Sequence, residues 1–374
     1  MDIPTLMEKA ESNDIEALVE LGRMYREGDG VEADPIKAVG FLSKATELGD
    51  AGAASSLGYM FLTGEGIPAD RCSAERYLSM SAELGNQVAM CNLGVLFSVT
   101  DPEMSMEWFT KAAESGSVRG MKNIAAAYAS GQGVPMDKQK AIDWYSRASD
   151  LGDLDSICVL ASMFRNGDGI PMDKQRAAEL YRKAADAGDM GAQYDLAFML
   201  DAGEGVEQDR PEAERYFRMS AEQGDTDACL CMGGILFERQ EFTEAEQFFL
   251  SAAMKDDVKA QYNLGLLYMG EYLGNPDMGK AREWFESSAD LGFAYSQTML
   301  GTMSLDSGDV ASAESFFRKA AEQGEPMAQY NLGALGLSNQ IKIGFQESVE
   351  WLTKAAQQGV EEAYRILMQL NSQQ

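Results

Sequence analysis

The sequence predicts an all-α solenoid built from about ten helix-turn-helix units, and three observations lead to this prediction. A block of about 36 residues recurs along the 374-residue chain. Each block holds two apolar patterns with helical spacing rather than the alternation of a strand. A glycine-rich loop separates the two patterns in five of the blocks. A unit of this size cannot bury its apolar face alone, so consecutive units must pack on one another.

The recurring loop is interpreted as a turn and a helix cap. It reads GDGVEADP, GEGIPADR, GQGVPMDK, GDGIPMDK and GEGVEQDR, beginning at Gly28, Gly64, Gly131, Gly167 and Gly203. The first glycine ends one helix, the Val or Ile reaches the core, and the aspartate caps the next helix. A phosphate-binding loop would require a preceding strand and a crossover unit, neither of which is visible. A calcium site would require six or more converging oxygens, so the carboxylates of the loop are interpreted as solvated turn residues.

The two apolar patterns of each unit predict two different helices. In the first, a small residue, a leucine and an aromatic residue recur four positions apart, as in Ala53, Leu57 and Phe61. This spacing places them on one helix face. In the second, small residues flank an aromatic pair and a glycine closes the helix, as in Ala213 to Gly224. Alternating large and small side chains lets the paired helices interlock.

The residues that close the second helices give the number of repeats. They are Gly49, Gly85, Gly116, Gly152, Gly188, Gly224, Asp256, Gly292, Gly324 and Gly359. We therefore expect ten repeats over residues 15–360, an N-terminal capping helix within residues 1–14, and a C-terminal capping helix and tail over residues 361–374. Because no low-complexity linker interrupts the repeats, a single domain over residues 1–374 is expected.

Composition narrows the possible partners and chemistries. The chain has 31 Lys and Arg against 60 Asp and Glu, a formal charge of -29. That charge repels nucleic acid and anionic membranes, so neither is expected as a partner. The chain has no histidine, which excludes Ser-His-Asp and Cys-His catalysis and His-ligated zinc. No metal or cofactor is predicted.

Location is inferred from the first residues and the cysteines. The opening MDIPTLMEKAESND has neither the basic nor the apolar region of a signal peptide, and no run approaches a membrane span. The five cysteines lie at unrelated positions of the repeat, and we expect most to be small buried side chains. A cytoplasmic protein is predicted.

Three segments identify a family resemblance. They are AQYNLGLLYMG (Ala260 to Gly270), AQYNLGALGLS (Ala328 to Ser338) and AIDWYSRASDLGD (Ala141 to Asp153). With the recurring loop, they resemble the Sel-one-like repeats, a branch of the tetratricopeptide superfamily. The resemblance implies a right-handed superhelix whose first helices line a concave face that binds proteins or peptides, and it implies no reaction. Some secreted relatives carry a disulfide in each repeat, and this chain lacks that cysteine pair.

The same resemblance assigns a peptide-binding groove to residues two before and two after the leucine of each first helix. The aromatic and apolar groove candidates are Tyr59, Tyr194, Phe198, Tyr262, Leu266 and Tyr330. The basic candidates are Arg23 and Lys122, together with Arg26 and Arg165 about one turn further along their helices. Such a wall would suit an extended peptide with acidic and apolar side chains. The alternative is that the aromatics pack on the next repeat and the basic residues balance nearby carboxylates.

An asparagine recurs one position before the leucine and supplies secondary groove candidates. These are Asn92, Asn123, Asn263 and Asn331, with Asp195 in the equivalent position. Their amides can bond to the backbone of an extended ligand or across the interface between repeats. The structural role is favoured.

The sequence favours a non-enzymatic scaffold or adaptor that binds a protein or peptide. Every conspicuous residue has a counterpart in other repeats, whereas an active site usually breaks symmetry. The alternative is a carboxylate-dependent hydrolase of polysaccharide or peptidoglycan fragments, which would require a unique carboxylate pair with one raised pKa. A third possibility is a self-associating structural protein. A monomer is expected, with self-association as the alternative.

Overall fold

The computed structural model describes residues 2–371, and within that range every regular element is an α-helix. There are 22 helices and no strand in this part of the chain. The predicted all-α fold is confirmed. The helices form two compact units, Met1–Ala187 and Gly188–Gln374. Each unit is described separately, and the expectation of a single domain over residues 1–374 stays a prediction.

The first unit contains a lone helix followed by five hairpins. Its helices are α1 Ile3–Glu11, α2 Ile15–Glu27, α3 Pro35–Glu47, α4 Ala51–Thr63, α5 Arg71–Glu83, α6 Gln87–Phe97, α7 Pro102–Glu114, α8 Val118–Ser130, α9 Lys138–Asp150, α10 Leu154–Asn166 and α11 Lys174–Asp186. Each even-numbered helix pairs with the helix after it, and consecutive hairpins pack in series. The lone helix α1 packs on α2, as predicted for a capping helix.

The second unit contains five hairpins and a final lone helix. Its helices are α12 Met190–Ala202, α13 Arg210–Glu222, α14 Thr226–Glu238, α15 Phe242–Ala253, α16 Val258–Met269, α17 Met278–Asp290, α18 Ala294–Asp306, α19 Val310–Glu322, α20 Pro326–Leu337, α21 Phe345–Gln357 and α22 Glu361–Asn371. The pairing again joins each even-numbered helix to the next, and α22 packs on α21. The predicted tail, residues 372–374, lies outside the described residues.

The recurring loop ends one helix and caps the next, as predicted. The first glycine of each of the five loops has a left-handed conformation, with φ from 67° to 75°. The loop aspartate accepts a hydrogen bond from a backbone N–H in the first turn of the second helix, in Asp34, Asp70, Asp137, Asp173 and Asp209. Asp256 stands where nine other units have a closing glycine, and it adopts the same conformation with φ 62°.

A close approach between helices forms the centre of each hairpin. The central apolar residue of the first helix is buried, and a glycine or alanine follows it in the sequence. At Gly265 an added Cβ would lie 2.4 Å from the ring of Phe285, which is fully buried. The same overlap would occur between Gly301 and Phe317, at 2.6 Å. The missing side chain is therefore what lets the second-helix ring lie against the backbone of the first helix.

Gly233 and Gly234 in α14 provide a matched test of this packing. A Cβ at Gly233 would lie 2.4 Å from Phe249, whereas a Cβ at Gly234 would meet nothing within 4 Å. We expect Gly233→Ala to lower the free energy of unfolding by about 1–3 kcal/mol through overpacking. Gly234→Ala should raise it by up to about 1 kcal/mol, because alanine is the better helix former. Urea unfolding of both variants measures the difference, and equal effects would contradict this account.

Asp70 provides a pH-dependent test of the caps. The Ser73 hydroxyl donates to its carboxylate, and with the backbone N–H groups of Cys72 and Ser73 it holds the pKa of Asp70 below the ordinary 3.8. A lowered folded-state pKa stabilises the fold above the unfolded-state pKa, and this contribution disappears as the pH falls through the folded-state value. In the variant Asp70→Asn, the introduced amide caps the helix about as well as an aspartate does, but it does not titrate.

We therefore expect wild type to be more stable than Asp70→Asn near neutral pH, with the difference shrinking below about pH 3.8. Urea unfolding of both proteins from about pH 7 to about pH 2.5 measures this difference. The remaining carboxylates titrate in both proteins, so their effect cancels in the comparison. A difference that is constant with pH would rule out a charged cap.

Candidate functional site

Two positions on each first helix contain most of the predicted groove residues, and the structure separates them. The central apolar residues are Leu21, Leu57, Leu93, Ile124, Leu160, Leu196, Met232, Leu264, Leu300 and Leu332, all buried. We call the residue two positions after the central residue the outer position. We call the residue two positions before it the bridging position.

The outer positions face solvent to different degrees. They are Arg23, Tyr59, Val95, Ala126, Ser162, Phe198, Gly234, Leu266, Thr302 and Ala334, and none of them is buried. Tyr59 is 43% exposed and Phe198 is 44% exposed, although both are large aromatic residues. Leu266 is half-buried and packs against the core around Phe285. The outer position is therefore where a first helix presents a side chain to solvent.

The bridging positions instead contact the start of the next first helix. The Lys122 ammonium lies 3.4 Å from a carboxylate oxygen of Asp153, the N-cap of α10, and it also pairs with Asp155. The Thr298 hydroxyl donates to Glu325, the N-cap of α20, at 2.8 Å. These contacts join consecutive repeats within each unit. The predicted groove residues at this position, Lys122 among them, thus contribute to packing between repeats.

The three bridging tyrosines are half-buried. The Tyr194 ring lies 5.8 Å from that of Phe217. The pKa of Tyr194 is raised to about 12, mainly by burial and to a smaller extent by the nearby Cys231 and Asp227. Tyr330 packs against the core around Leu352 and Val360. Phe217 and Leu352 belong to the same hairpins as these two tyrosines. The neighbouring Cys231 and Asp227 in α14, and Val360 before α22, belong to the next repeat and match the alternative in which the aromatics pack there.

Tyr262, the third bridging tyrosine, belongs to an aromatic cluster that the sequence reasoning missed. Its ring lies 5.6 Å from Phe293 and 6.2 Å from Tyr295, and these two rings lie 5.4 Å apart. Phe293 occupies the N-cap of α18 and forms no side-chain cap. Tyr295 is 52% exposed. A capping residue has been replaced here by a ring that extends the aromatic surface.

Two basic groove candidates of the first unit, Arg23 and Arg26, are engaged with carboxylates. The Arg23 guanidinium contacts Glu20 at 2.7 Å, and Glu27 and Asp29 each at 2.8 Å. Arg26 pairs with Glu27 at 2.5 Å. Arg165 is half-buried and has partners of its own. This pairing matches the alternative in which basic residues balance neighbouring carboxylates.

The asparagines one position before the central residue lie inside the repeat packing to different degrees. Asn92 is 3% exposed, so its amide does not face solvent. Asn263 and Asn331 are half-buried. The Nδ2 atom of Asn123 is buried without a hydrogen-bond partner in the described structure. Among these four asparagines, Asn123 is therefore the one whose buried amide N–H group lacks a hydrogen-bond acceptor.

Two equivalent cavities occur where the outer position is small. In the second unit, a cavity of about 540 Å³ lies between α12, α13 and α14 beside Gly234 and Cys231. In the first unit, a cavity of about 310 Å³ lies beside Ala126 and Asn123 at the equivalent repeat positions. Neither cavity was predicted from the sequence, because both arise from small side chains, which give no distinctive sequence signal.

The cysteines lie in different environments, and the expectation that most are buried is wrong. Cys91 and Cys229 are buried, Cys158 and Cys231 are half-buried, and Cys72 is exposed; none of the five forms a disulfide. Cys72 lies in the first turn of α5, away from the packed face. Burial and the nearby Asp227 raise the pKa of Cys231 to about 11, so its thiol stays protonated at neutral pH.

The shifted carboxyl groups have structural causes. The pKa is lowered in Glu20, Glu27, Asp34, Asp70, Asp137, Asp153, Asp309 and Glu347. These groups are helix caps or partners of arginine. The hydrolase alternative requires the opposite shift in one carboxyl of a pair. Within residues 2–371, no cluster of three or more His, Cys, Asp or Glu is placed to hold a metal ion, and no helix could span a membrane.

Comparison with family models identifies the repeat. The Sel1 repeat model matches residues 15–50, 51–86, 87–117, 118–153, 154–189, 191–225, 258–293, 294–325 and 326–360. The chain belongs to the Sel1 repeat family. Proteins built from Sel1 repeats generally mediate protein–protein interactions. In this Sel1 repeat protein the unmatched residues 226–257 still contain the hairpin α14–α15.

A solved structure agrees with this assignment. The chain is 33% identical to c5321, a protective antigen of uropathogenic Escherichia coli with an SLR fold; the match covers 97% of this chain and 81% of that chain, with a TM-score of 0.73. A Sel1 repeat protein from Oxalobacter formigenes is 23% identical, and the match covers 74% of this chain and 100% of that chain with a TM-score of 0.49. Comparison with curated proteins finds no match.

The separation into bridging and outer positions predicts different effects of truncation. Tyr262→Ala should lower the free energy of unfolding by about 1–3 kcal/mol, because it removes contacts with Phe285 and Phe293. Tyr59→Ala should change it by no more than about 0.5 kcal/mol, because the ring is exposed. Urea unfolding measures both, and equal losses would refute the separation.

Proposed function

We propose that this Sel1 repeat protein is a non-enzymatic scaffold or adaptor that binds an extended segment of a protein partner across the outer positions of its first helices. The supporting observation is that the outer position is the same place in every hairpin but carries very different side chains. Packing selects leucine at eight of the ten central positions. It does not select the outer residues, which include arginine, tyrosine, phenylalanine, threonine and glycine.

Exposed aromatic residues at this position support recognition of a partner. Tyr59 and Phe198 keep over two fifths of their surface in solvent. Tyrosine and phenylalanine are enriched at protein interfaces, where they supply contact area at a low cost in conformational entropy. Single exposed apolar residues are common, so the support comes from their repeated position rather than from exposure alone.

The charge of the partner is proposed from the ion pairs. Arg23 and Lys122 are paired with carboxylates of the protein itself, so they offer little to an acidic ligand. The formal charge of -29 favours a partner with basic and apolar side chains over the acidic and apolar peptide expected from the sequence. The five cysteines, none of which forms a disulfide, support a cytoplasmic location, where thiols remain reduced. A monomer is proposed.

Site-specific photo-cross-linking tests the binding face. A photoreactive phenylalanine analogue replaces Tyr59 or Phe198 at the outer positions, and Ile36 or Met278 in the controls. The controls are also exposed apolar residues, but they lie on second helices α3 and α17. We expect the outer positions to cross-link one common partner in cells that produce the protein, and the controls not to do so.

The contribution of the outer aromatics to binding is measured with serine variants in the same experiment. With the photoreactive analogue at Val95, another exposed outer position, replacing Tyr59 and Phe198 by serine should reduce recovery of the cross-linked partner by at least about ten-fold. The reason is that hot-spot aromatics contribute about 2 kcal/mol or more to binding. The thermal midpoint should change little. Cross-linking of the partner from second-helix positions alone would show that the binding face has been assigned to the wrong helices.

A further inference from the structure

The cavity beside Gly234 exists because the outer position of α14 has no side chain. The outer position of the neighbouring first helices holds Phe198 in α12 and Leu266 in α16. A Cβ at Gly234 would meet nothing within 4 Å, so a side chain there would point into open space. The volume of about 540 Å³ lies within the range of ligand pockets in proteins.

The interior of this cavity is apolar and its rim is charged. Phe198, Phe217 and Ile235 line it, and Phe217 is 4% exposed. At the rim, Arg239 pairs with Glu214 at 2.9 Å and Arg210 lies 3.7 Å from Asp201. Glu238 also lines the cavity and has no ion pair among the described residues. The rim therefore has one unbalanced negative charge.

The equivalent cavity of the first unit shows that this charge is not imposed by the fold. It lies beside Ala126, and its lining contains no charged residue. A small outer residue therefore accounts for the opening in both units, whereas the five charged groups are particular to the Gly234 cavity. Such a difference at equivalent positions of a repeat is expected where one repeat recognises a ligand.

We propose that the Gly234 cavity is the specificity pocket of this protein, and that it takes an aromatic side chain of an extended partner segment with Lys or Arg beside it. The inference rests on the proposed function, because the occupant belongs to the same partner. The aromatic ring packs between Phe198 and Ile235, where buried aromatic anchors are most effective. The basic side chain meets Glu238 at the rim.

Filling the cavity tests the proposal without weakening the fold. Gly234→Leu introduces the side chain that Leu266 carries at the same repeat position. Leucine also favours the helix over glycine, so the variant should keep or raise its thermal midpoint. Gly40→Leu is the matched control, because Gly40 lies on the second helix α3 and its Cβ would also meet nothing within 4 Å.

The probes are fluorescein-labelled peptides of glycine and serine, about twelve residues long, with Lys-Trp-Arg, Ser-Trp-Ser, Glu-Trp-Glu or Lys-Ala-Arg at the centre. Fluorescence anisotropy with the full-length protein measures their Kd. We expect the Lys-Trp-Arg peptide to bind at least about ten-fold more tightly than the other three. Gly234→Leu should weaken that binding by at least about ten-fold, and Gly40→Leu should leave it within about two-fold. Glu238→Gln should reduce the preference over Ser-Trp-Ser.

Three results would overturn the proposal. The four peptides could bind equally, or Gly234→Leu could bind the Lys-Trp-Arg peptide as wild type does. Free tryptamine could bind as tightly as the peptide, which would indicate a small-molecule site. If any of these occurs while cross-links form at positions 59 and 198, only the pocket assignment fails. If those cross-links are also absent, the proposed function fails as well.

Discussion

The approach of a second-helix side chain to the bare backbone of a glycine in the first helix is the contact on which seven of the ten hairpins depend. In the hairpins α16–α17 and α18–α19, a ring lies where the Cβ of any other residue would be. This contact fixes the rotation of both helices, because the ring must face the glycine and the central leucine must face inward. Once the rotation is fixed, the outer position must point away from the core. The position of the proposed binding face therefore follows from the packing.

The same constraint links one hairpin to the next. With the first helix fixed in rotation, its bridging position faces the N-terminus of the following first helix. The contact is chemically adaptable: an ion pair at Lys122, a hydrogen bond at Thr298 and ring contacts at Tyr262. Neighbouring repeats are therefore held together by contacts of different polarity at one geometric position. Aromatic residues at this position are explained by packing between repeats.

Much of the fold could be predicted from the sequence because its signals are local and repeated. The five loop glycines and the five loop aspartates adopt the turns and caps expected of them. Asp256 was identified as a helix end although it is not glycine, since the spacing located it. The site was less predictable. Spacing placed Tyr59 and Tyr262 on one face, but the depth of burial that separates them depends on the next repeat.

Two residues of the second unit depart from local rules: Phe293 replaces an N-cap residue, and Gly234 lies inside a helix. Other contacts compensate for the lost stability in only one of these cases. Phe293 gives up an N-cap, a loss of about 1 kcal/mol. Its ring contacts with Tyr262 and Tyr295 offset that loss, since aromatic pairs contribute about 0.5–1.5 kcal/mol each. The aromatic cluster is thus explained by the stability of the fold.

Gly234 has no such compensation. A glycine inside a helix costs about 1 kcal/mol relative to alanine. At Gly233 that cost is offset by the approach of Phe249, but at Gly234 a Cβ would meet nothing. The neighbouring glycine therefore destabilises the helix without improving any contact of the folded protein. Gly40 in α3 likewise has open space beside it, but Gly234 in addition lines a cavity of about 540 Å³. A departure from a local rule that packing leaves unexplained, next to a cavity, is expected at a functional site. The open space beside Gly234 is accordingly more informative about a ligand than the conspicuous aromatics around it.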